Sequence, residues 1–524
     1  MIVDCKPKYY PDLRGFEDLA KKGNIVPVYR QLLADTLTPV SAFQKIADSD
    51  YAFLLESAAG GEKIASRTYL GCDPFMGIRA YGRNTEIITK GKVETLESND
   101  PLSVLEAKMK EFSWAPVDEL KHFSGGAVGY IGYDAVRYFE HLPNPAPDDR
   151  NLPDLYFMLY DTVIIFDHIN KIIKVVAAAR IENGQNEKAY NDAVCRINNM
   201  VEKLQKPINA INDDISLYGE AGIKFSSNFE KADFLRSVDK CKEYIKSGDI
   251  LQVVLSQRLK TKVNAAPFNI YRALRVINPS PYMFYLKHKD LIMVGSSPEV
   301  MVKVEDGKVA VRPIAGTRKR GSTDAEDAAL AEELLNDPKE RAEHIMLLDL
   351  GRNDSGSVSK PGTVKVTKLM YVERYSHVMH LVSHVEGKLR PELSCFDALR
   401  SCFPAGTVSG APKIRAMEII AELEPDKRGP YAGAVGYFSF SGNMDTAITI
   451  RTLVVKNGFA YVQAGGGIVY DSVPVREYQE SMQKASALLR AVEQAEASPR
   501  GITNQPAKGA VRKPSRAKPR SRAR

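Results

Sequence analysis

Arg476-Glu-Tyr-Gln-Glu-Ser-Met-Gln-Lys484 follows closely on the glycine-rich run Ala464-Gly-Gly-Gly467. Glu477 and Glu480 are three residues apart and Lys484 follows Glu480 by four, so a helix would place these side chains on one face. The apolar residues that come next continue this spacing, which predicts a helix. The pattern is compatible with an exposed face that carries an ordinary Glu–Lys pair, and also with a binding site.

A second Glu-x-x-Glu pair, Glu340 and Glu343, lies in another segment that the sequence predicts to be helical. Asp337 followed by Pro338 is a typical helix start, so Glu340 could serve simply as a carboxylate of the first turn. Glu343 has no such explanation. Because hard divalent cations prefer carboxylate oxygens, the two pairs could converge on one cation.

Length and composition are those of a globular protein with more than one domain. The chain has 524 residues, of which 44% are hydrophobic and 26% charged. It contains no run of about eighteen apolar residues and no apolar secretory signal near its start, so we expect neither a membrane span nor secretion. The six cysteines include no C-x-x-C pair, which favours a reducing, cytoplasmic location and argues against structural zinc.

The net charge of +7 comes from the end of the chain. Residues 499–524 contain nine Lys and Arg and no Asp or Glu, and removing nine positive charges from +7 leaves −2. The remainder is near neutral, so its charge does not predict nucleic-acid binding. Residues 497–524, rich in Pro, Ala and Arg, are predicted to be a disordered basic tail capable at most of sequence-independent electrostatic contacts.

The order of the predicted elements indicates an α+β fold with a large, partly antiparallel sheet system. Helices and strands are interspersed without a regular βαβ repeat, and no G-x-G-x-x-G turn follows a strand. The segment from Lys206 to Phe225 lacks periodicity and is the best domain boundary. We therefore expect an N-terminal domain at 1–215 and a second domain at 226–496.

Two local patterns in the second domain predict particular elements. Ser227 and Glu230 resemble a capping box at the start of a helix, and Gly248 is expected to end that helix. Residues Thr446–Val455 form a near-continuous apolar run and are predicted to be a buried strand.

Several further segments are too specific to result from composition. They are Leu251-Gln-Val-Val-Leu-Ser-Gln257, Gly295-Ser-Ser-Pro-Glu299, Pro313-Ile-Ala-Gly-Thr317, Lys339-Glu-Arg-Ala-Glu-His344, Asp349-Leu-Gly-Arg-Asn-Asp354, Val378-Met-His380, Phe403-Pro-Ala-Gly-Thr-Val-Ser-Gly-Ala-Pro-Lys413 and Asp445-Thr-Ala-Ile-Thr-Ile-Arg451. With the glycine run and Arg476–Lys484 they resemble the chorismate-utilising enzymes, densely over 229–495 and more loosely over 25–180. Within that family the resemblance is strongest to the large, aminating subunits of anthranilate synthases, called component I. It implies stacked, largely antiparallel β-sheets flanked by helices, with a regulatory N-terminal domain and a chorismate-binding catalytic domain.

The resemblance implies a Mg²⁺-dependent reaction on chorismate, a small molecule with a ring carboxylate and an enolpyruvyl carboxylate. Glu343 and Glu480 correspond to the Mg²⁺ ligands, with Glu340 and Glu477 beside them. Arg451 corresponds to the residue that binds the enolpyruvyl carboxylate, which suits a planar guanidinium. The other substrate-binding positions are Gly316, Thr317, Tyr431, Gly465, Gly466 and Gly467.

Four residues correspond to positions in the family's catalytic pocket. Glu299 corresponds to the general acid that protonates the departing C4 hydroxyl, a role that favours a pKa raised by burial. His380 corresponds to the histidine needed when pyruvate is lost; a single histidine is more often structural, but its Val-Met-His context favours the catalytic interpretation. Thr407 lines the pocket, and Lys484 would supply positive charge near the ring carboxylate.

Two positions distinguish the branches of the family. Isochorismate-forming relatives have a lysine at the position of Gln252 that activates water, which a glutamine cannot do. Relatives of the aminodeoxychorismate branch usually have a nucleophilic lysine at the position of Ala315, where alanine offers no nucleophile. The resemblance therefore implies direct amination by ammonia, which gives anthranilate and pyruvate in the first step of tryptophan biosynthesis.

Two other segments, Leu54-Leu-Glu-Ser57 and Asn278-Pro-Ser-Pro-Tyr-Met-Phe284, resemble the family's site for feedback inhibition by L-tryptophan. A buried strand end and a Pro-rich turn would explain the same residues without a ligand. Because one segment lies in each predicted domain, a ligand there could bias their relative placement. The matched positions are Leu55, Ser57, Arg67, Pro281, Tyr282 and Met283.

The expected reaction requires a source of ammonia. The predicted folded part ends near residue 495 and leaves no room for a glutaminase domain, so a separate glutamine amidotransferase subunit, component II, is the expected partner. Two other functions remain open at this point. One is component I of an aminodeoxychorismate synthase, which its product would distinguish, and the other is a non-catalytic protein that binds through the basic tail.

Overall fold

The computed structural model describes residues 7–57, 66–207, 222–375 and 378–497. The strands are β1 (Ile25–Leu33), β2 (Tyr51–Glu56), β3 (Arg67–Cys72), β4 (Met76–Tyr81), β5 (Asn84–Thr89), β6 (Lys92–Glu97), β7 (Gly126–Ile131), β8 (Leu155–Tyr160), β9 (Thr162–Asp167), β10 (Ile172–Arg180), β11 (Ser226–Ser227), β12 (Gln252–Lys262), β13 (Tyr282–His288), β14 (Leu291–Ser297), β15 (Val300–Glu305), β16 (Lys308–Val311), β17 (Ile314–Lys319), β18 (Lys365–Arg374), β19 (Val378–Lys388), β20 (Gly410–Ala411), β21 (Ala434–Ser439), β22 (Met444–Ile448), β23 (Thr452–Lys456) and β24 (Phe459–Ile468). The α-helices are α1 (Leu13–Ala20), α2 (Pro39–Ile46), α3 (Pro101–Lys110), α4 (Asn186–Gln205), α5 (Lys231–Ser247), α6 (Pro267–Ile277), α7 (Asp324–Asn336), α8 (Pro338–Gly356), α9 (Cys395–Cys402), α10 (Lys413–Leu423) and α11 (Pro474–Ala497). Short 3₁₀ helices lie at Asp118–Leu120, Tyr133–Tyr138 and Gly406–Val408.

Within the described ranges the strands form two twelve-stranded sheets. The first has the order β1-β10-β9-β3-β2-β13-β14-β23-β24-β12-β11, with β20 on β12; the second has the order β17-β19-β16-β15-β22-β21-β7-β8-β4-β5-β6, with β18 on β19. Every ladder between these strands is antiparallel. Phe53 and Phe284 of the first sheet pack in one core with Val128 and Val435 of the second. Helices pack on both sheets, which confirms the predicted α+β fold of stacked antiparallel sheets.

Both sheets contain strands from each side of the predicted domain boundary. In the first sheet β2 pairs with β13, with Leu54 opposite Tyr285, and in the second β7 pairs with β21, with Tyr130 opposite Val435. The two halves of the chain are therefore joined by continuous backbone hydrogen bonding. The division into 1–215 and 226–496 stays a prediction, and its edge at 208–215 lies outside the described residues, as does the tail from 498.

The helix after the boundary begins later than predicted. Helix α5 starts at Lys231 with Glu230 as its N-cap, so the capping box expected from Ser227 is wrong. Ser227 instead lies opposite Leu259 in the ladder with β12, and its hydroxyl donates to the Gln257 side chain at 3.0 Å. Pairing with the sheet thus outweighs a local capping preference. The predicted end of α5 is confirmed, because Gly248 caps it in the left-handed conformation.

The predicted strand Thr446–Val455 is wrong as a single element. Strand β22 ends at Ile448 in the second sheet, and β23 begins at Thr452 in the first. At the crossing, Arg451 has a φ of +50°, a conformation that side-chain-bearing residues seldom adopt. The connection between the sheets therefore presents Arg451 at an irregular backbone position.

The predicted helices that carry the Glu-x-x-Glu pairs are both present. Asp337 caps α8 by accepting from the amides of Lys339 and Glu340, which confirms the predicted start. Helix α11 packs on β24 and on α5 and α6. Among the described residues, no helix has the length and apolar character needed to cross a bilayer.

Candidate active site

The glycine run of β24 lies directly beneath the carboxylates of α11. A Cβ atom at Gly466 would lie 3.2 Å from Glu477 Oε2 and 3.6 Å from Glu480 Oε1. Gly466 pairs with Leu255 of β12, so this stretch of backbone is held flat in the sheet under the helix. Both predicted carboxylates of α11 therefore lie close to the Gly466 backbone, where an added side chain would crowd Glu477.

Lys484 links α11 to the same strand. Its ammonium group lies 2.7 Å from Glu480 Oε1 and donates to the carbonyl oxygen of Gly465 at 3.0 Å. The ordinary i,i+4 Glu–Lys pair is thus present, but it lies beside the glycine run and compensates part of the negative charge there.

Gln252 lies between the Glu340–Glu343 pair of α8 and the glycine run of β24. Its side-chain nitrogen lies 3.4 Å from Glu343 Oε1, and it would lie 2.2 Å from a Cβ atom at Gly467. Glu340, one turn earlier in α8, accepts from Arg318 at 3.0 Å. The structure therefore brings the two Glu-x-x-Glu pairs to one region around Gln252, as their spacing suggested.

Glu343 and Glu477 both have raised pKa values. Burial raises the pKa of Glu343, and the charges of Glu340 and Glu480 raise it further, while the Gln252 hydrogen bond opposes them. Burial also raises the pKa of Glu477, with a further increase from Glu480. A site with this excess of negative charge is stabilised by a cation.

Carboxylates of this kind fit a hard divalent cation such as Mg²⁺, which prefers oxygen ligands and keeps several waters. Within the described ranges no three His, Cys, Asp or Glu side chains already form a compact metal cluster. A cation here would accordingly need further oxygen ligands from water or from a bound molecule.

Arg451 is a partly buried cation that forms no ion pair with any described residue. Burial lowers its pKa, while the nearby Tyr431 and Glu480 oppose that effect. Tyr431 is itself buried, with the Arg428 guanidinium 5.5 Å from its ring. A partly buried guanidinium without a carboxylate partner loses hydration that an anion can replace, so Arg451 points to an anionic ligand.

Glu299 is a buried carboxyl group with a strongly raised pKa. It lies between β14 and β15, and burial raises its pKa to about 8, opposed by the Thr407 hydroxyl and by the charge of Arg312. Thr407 and Arg312 line, with Glu299, a small cavity of about 40 Å³. The Thr407 hydroxyl faces Glu299, but it is buried without a hydrogen bond of normal geometry to any described residue. Glu299 is therefore protonated at neutral pH and able to give up its proton.

His380 is held as a neutral base. Its Nδ1 lies 3.0 Å from the carbonyl oxygen of Gly316 and 3.1 Å from the Thr317 hydroxyl oxygen. A carbonyl oxygen only accepts, so Nδ1 carries the proton and Nε2 is left as an acceptor. Burial lowers the pKa of His380, and the charge of Arg451 lowers it further.

Gly316 joins His380 to the glutamate region. It has a φ of +64° and interrupts the pairing of β17 with β19, so a residue with a side chain would be strained there. A Cβ atom at Gly316 would also lie 2.9 Å from Glu340 Oε2. The proposed base and the carboxylates of α8 therefore approach each other across a backbone position that requires glycine.

The predicted inhibitor positions all line a second, larger cavity of about 840 Å³ between the two sheets. These positions are Leu55, Ser57, Arg67, Pro281, Tyr282 and Met283. They come together because β2 pairs with β13, which places Leu55 opposite Phe284. The cavity shares no residue with the carboxylate region and is large enough for a free amino acid.

Some residues of both regions were not predicted. Arg318 donates to Glu340 and, at 2.8 Å, to Asp337; its one sequence signal is its place directly after Gly316 and Thr317. The wall of the large cavity on the second sheet adds a group of charged and aromatic residues from distant parts of the chain. It includes His122, Lys303, Glu305, Arg312, Tyr437 and Asp445.

Known proteins resemble this chain over most of its length. A family model described as chorismate binding enzyme matches residues 50–490. Anthranilate synthase component 1 of Acetivibrio thermocellus is 51% identical over 490 residues, which are 93% of this chain and 99% of that relative. The crystal structure of anthranilate synthase component I from Streptococcus pneumoniae TIGR4 matches with a TM-score of 0.71 at 38% identity, over 87% of this chain and 99% of that one. MenF, the menaquinone-specific isochorismate synthase from Escherichia coli, shares the fold with a TM-score of 0.65 at 18% identity, over 92% and 98% of the two chains.

Proposed function

The chain belongs to the family of chorismate-binding enzymes, and we propose that it acts as component I of an anthranilate synthase, converting chorismate and ammonia to anthranilate and pyruvate. The resemblance inferred from the motifs is thereby confirmed at the level of the family. The observation that carries the proposed activity is the partly buried Arg451, which forms no ion pair with any described residue and lies near carboxylates that fit a cation, an arrangement that suits a dicarboxylate substrate. Relatives named anthranilate synthase component 1 support the choice of reaction.

The activity is tested by following anthranilate fluorescence with purified protein, chorismate, ammonium and Mg²⁺. Omitting any one of the three small molecules should abolish the signal. A signal that persists without ammonium, or no signal with all three present, would contradict the proposed reaction.

Glu343 and Glu480 would hold the Mg²⁺, with Glu340 and Glu477 beside them. When bound, the ion would neutralise the ring carboxylate and the charge that develops as the C4 hydroxyl leaves. Arg451 would bind the enolpyruvyl carboxylate with its planar guanidinium. The Gly465–Gly467 backbone would let main-chain N–H groups approach the substrate closely.

Two residues would move protons in sequence. Ammonia attacks C2, and the C4 hydroxyl leaves as water with the proton from Glu299. The ammonium group formed at C2 then gives up one proton to the solvent, and Glu299 regains its proton from the solvent. His380 Nε2 next takes the proton from C2 while the bond between the ring and the enolpyruvyl oxygen breaks, so the ring becomes aromatic. The released enolpyruvate takes up a proton at its methylene carbon and becomes pyruvate, so chorismate and ammonia yield anthranilate, pyruvate and water.

Gln252 and Ala315 support amination over the related reactions. The Gln252 amide lies against Glu343 and has no basic nitrogen with which to activate water. Ala315 is buried in β17 and offers no nucleophile. The aminodeoxychorismate reaction is the alternative that product analysis would reveal. Absence of any turnover would favour the other alternative, a non-catalytic protein that binds through the basic tail.

We further propose the partners that this reaction needs. A glutamine amidotransferase subunit, component II, would supply ammonia from glutamine, and the protein would work in the cytoplasm. L-Tryptophan would bind in the inter-sheet cavity and inhibit the enzyme, because the six residues of the feedback motif line one cavity between strands of both halves of the chain.

Replacing Arg451 by Ala should raise the KM for chorismate about 100-fold, since a buried charged hydrogen-bonding partner of the substrate is removed. Steady-state kinetics with ammonium as the nucleophile measures this. The control is Arg390→Ala, which removes another arginine outside the site. An unchanged KM for Arg451→Ala would remove Arg451 from the substrate pocket.

Replacing His380 by Ala should slow pyruvate release about 100-fold or more and let the aminated intermediate accumulate, because the base for the second step is lost. Chromatography of quenched reactions distinguishes intermediate from anthranilate. If amination itself stops and no intermediate appears, the role of His380 is different.

Replacing Ser57 by Ala should weaken inhibition by L-tryptophan about fivefold, the effect of one lost hydrogen bond, while kcat stays the same. The matched control is Ser49→Ala, at the other end of the same strand segment and outside the cavity. Inhibition curves for the two variants give the comparison. Equal inhibition of both variants would assign the inhibitor to another site.

A further inference from the structure

Arg312 lies in the wall between the large inter-sheet cavity and the small cavity that holds Glu299. It follows β16 directly and contributes to the lining of both cavities. Among the described residues it is the one that the two linings share. A change in the position of Arg312 would therefore alter the lining of both cavities.

Arg312 is fixed by an ion pair with Glu373 of β18. Glu373 also accepts from the hydroxyl groups of Tyr371 at 2.9 Å and Tyr375 at 2.8 Å. These four residues, Arg312, Tyr371, Glu373 and Tyr375, form one hydrogen-bonded unit that we call the Arg312 cluster. Its central ion pair is mostly buried, with side chains 18% and 21% exposed, so breaking it would be costly.

The Arg312 cluster lies beside Glu299 and His380, the two residues proposed to move protons. Arg312 lines the small cavity with Glu299, where its charge favours the ionised carboxylate. The ring of Tyr375 meets the ring of His380 edge-on, with centroids 5.6 Å apart. Glu373 also lies opposite His380 in the ladder of β18 with β19. The cluster thus lies beside the acid and the base alike.

The same cluster contacts the predicted inhibitor residues. Arg312, Tyr371 and Glu373 line the large cavity together with Tyr282. Tyr282 donates its hydroxyl to Asp445 at 3.0 Å and is close enough to Arg312 for that charge to act on its pKa. A ligand that fills the cavity would therefore lie against the cluster.

We propose that the Arg312 cluster transmits occupation of the inter-sheet cavity to Glu299 and His380, with Arg312 as a positioning residue of the catalytic acid. The inference rests on the proposed function, in which L-tryptophan occupies that cavity. A ligand packed against the cluster displaces the Arg312–Glu373 pair, which changes both the groups facing Glu299 and the ring facing His380.

No other charged group that faces Glu299 offers the same route among the described residues. Asp354 and Cys402 line the small cavity but not the large one. Asp354 is paired with Lys413 at 2.9 Å, and Lys413 does not line the large cavity either. The route through Arg312 is therefore specific enough to test with single substitutions.

The test separates tryptophan binding from inhibition in the full-length enzyme. For Glu373→Gln we expect an L-tryptophan Kd, measured by calorimetry, within about threefold of the wild-type value. Residual activity at saturating tryptophan should rise at least tenfold over that of wild type. The matched control is Arg374→Gln on the neighbouring residue, whose ion pair with Asp327 lies outside the cavity; it should be inhibited like wild type.

Each other outcome overturns the proposal. If Glu373→Gln were fully inhibited at saturating L-tryptophan, the cluster would not transmit the effect of tryptophan binding to the active site. The same conclusion would follow if the variant lost tryptophan binding and inhibition in equal measure. If Glu373→Gln does not fold, Arg312→Lys replaces it in the test. Lysine keeps the positive charge between the two cavities but lacks the planar guanidinium that pairs with Glu373. The tryptophan Kd and the residual activity at saturating tryptophan are measured in the same way. Absence of tryptophan binding to the wild type would overturn the proposed regulation as well, whereas the variant results above overturn the link alone.

Discussion

Replacing Glu299 by Gln should lower kcat about 10²- to 10⁴-fold and leave the KM for chorismate nearly unchanged. The amide has the size of the carboxyl group and fits the same buried position beside Thr407 and Arg312. It cannot donate an acidic proton to the departing C4 hydroxyl, so only the chemical step should suffer. Steady-state kinetics with ammonium as the nucleophile separates kcat from KM.

The pH dependence of kcat/KM for chorismate tests the same residue independently, because kcat/KM reports on groups of the free enzyme. Burial raises the pKa of Glu299 to about 8, so at a fixed concentration of free ammonia kcat/KM should be level near neutral pH and fall about tenfold per pH unit above pH 8, as the acid loses its proton. Glu299→Gln should lack this falling limb. The control is Glu106→Gln, a buried carboxylate that is paired with Arg400 and does not line the small cavity; this variant should keep both rate and profile. A falling limb that survives in Glu299→Gln would assign the acid to another group.

Replacing Glu343 by Gln should abolish the stabilisation of the protein by Mg²⁺ and lower kcat/KM about 100-fold or more at subsaturating metal. In wild type the ion would bind to carboxylates whose charges otherwise repel each other. Thermal melts with and without Mg²⁺ measure this directly and do not depend on turnover. We expect a clear rise in Tm for wild type and none for the variant.

The same substitution makes a prediction without metal. Burial and the charge of Glu340 raise the pKa of Glu343, so its ionisation in the folded state costs stability at any pH above the unfolded pKa. Glu343→Gln removes that cost and should be at least as stable as wild type at neutral pH in the absence of metal. The matched control is Asp349→Asn on the exposed face of the same helix. If Mg²⁺ raised the Tm of Glu343→Gln as much as that of wild type, Glu343 would not be a ligand.

Residues with a local reason for their position could be predicted from the sequence. The spacing of Glu477 and Glu480 places both on one face of α11, and Gly466 leaves room where those side chains approach β24. Asp337 caps α8 as its dipeptide with Pro338 suggested. These features depend on contacts within one turn or on a steric limit, so periodicity and residue type reveal them.

Features that depend on tertiary pairing could not be predicted in this way. Apolar and β-branched residues continue on both sides of Arg451, so the sequence reads as one strand and does not show that the chain leaves one sheet for the other at this point. Ser227 has the composition of a cap but is recruited by β12. Arg312 and Glu373 meet because β18 and β16 both pair with β19, a register that no local pattern specifies.

The measurement that tests the central claim most directly is the mass of the product formed from chorismate, Mg²⁺ and ¹⁵N-ammonium. Arg451, the two glutamate pairs, Glu299 and His380 together predict anthranilate that carries one ¹⁵N, with pyruvate released in equal amount. Isochorismate without nitrogen would contradict the role given to Gln252. An aminated product that still carries its enolpyruvyl group would contradict the account of His380, and an amino group at C4 of that product in place of C2 would identify the chain with the aminodeoxychorismate branch.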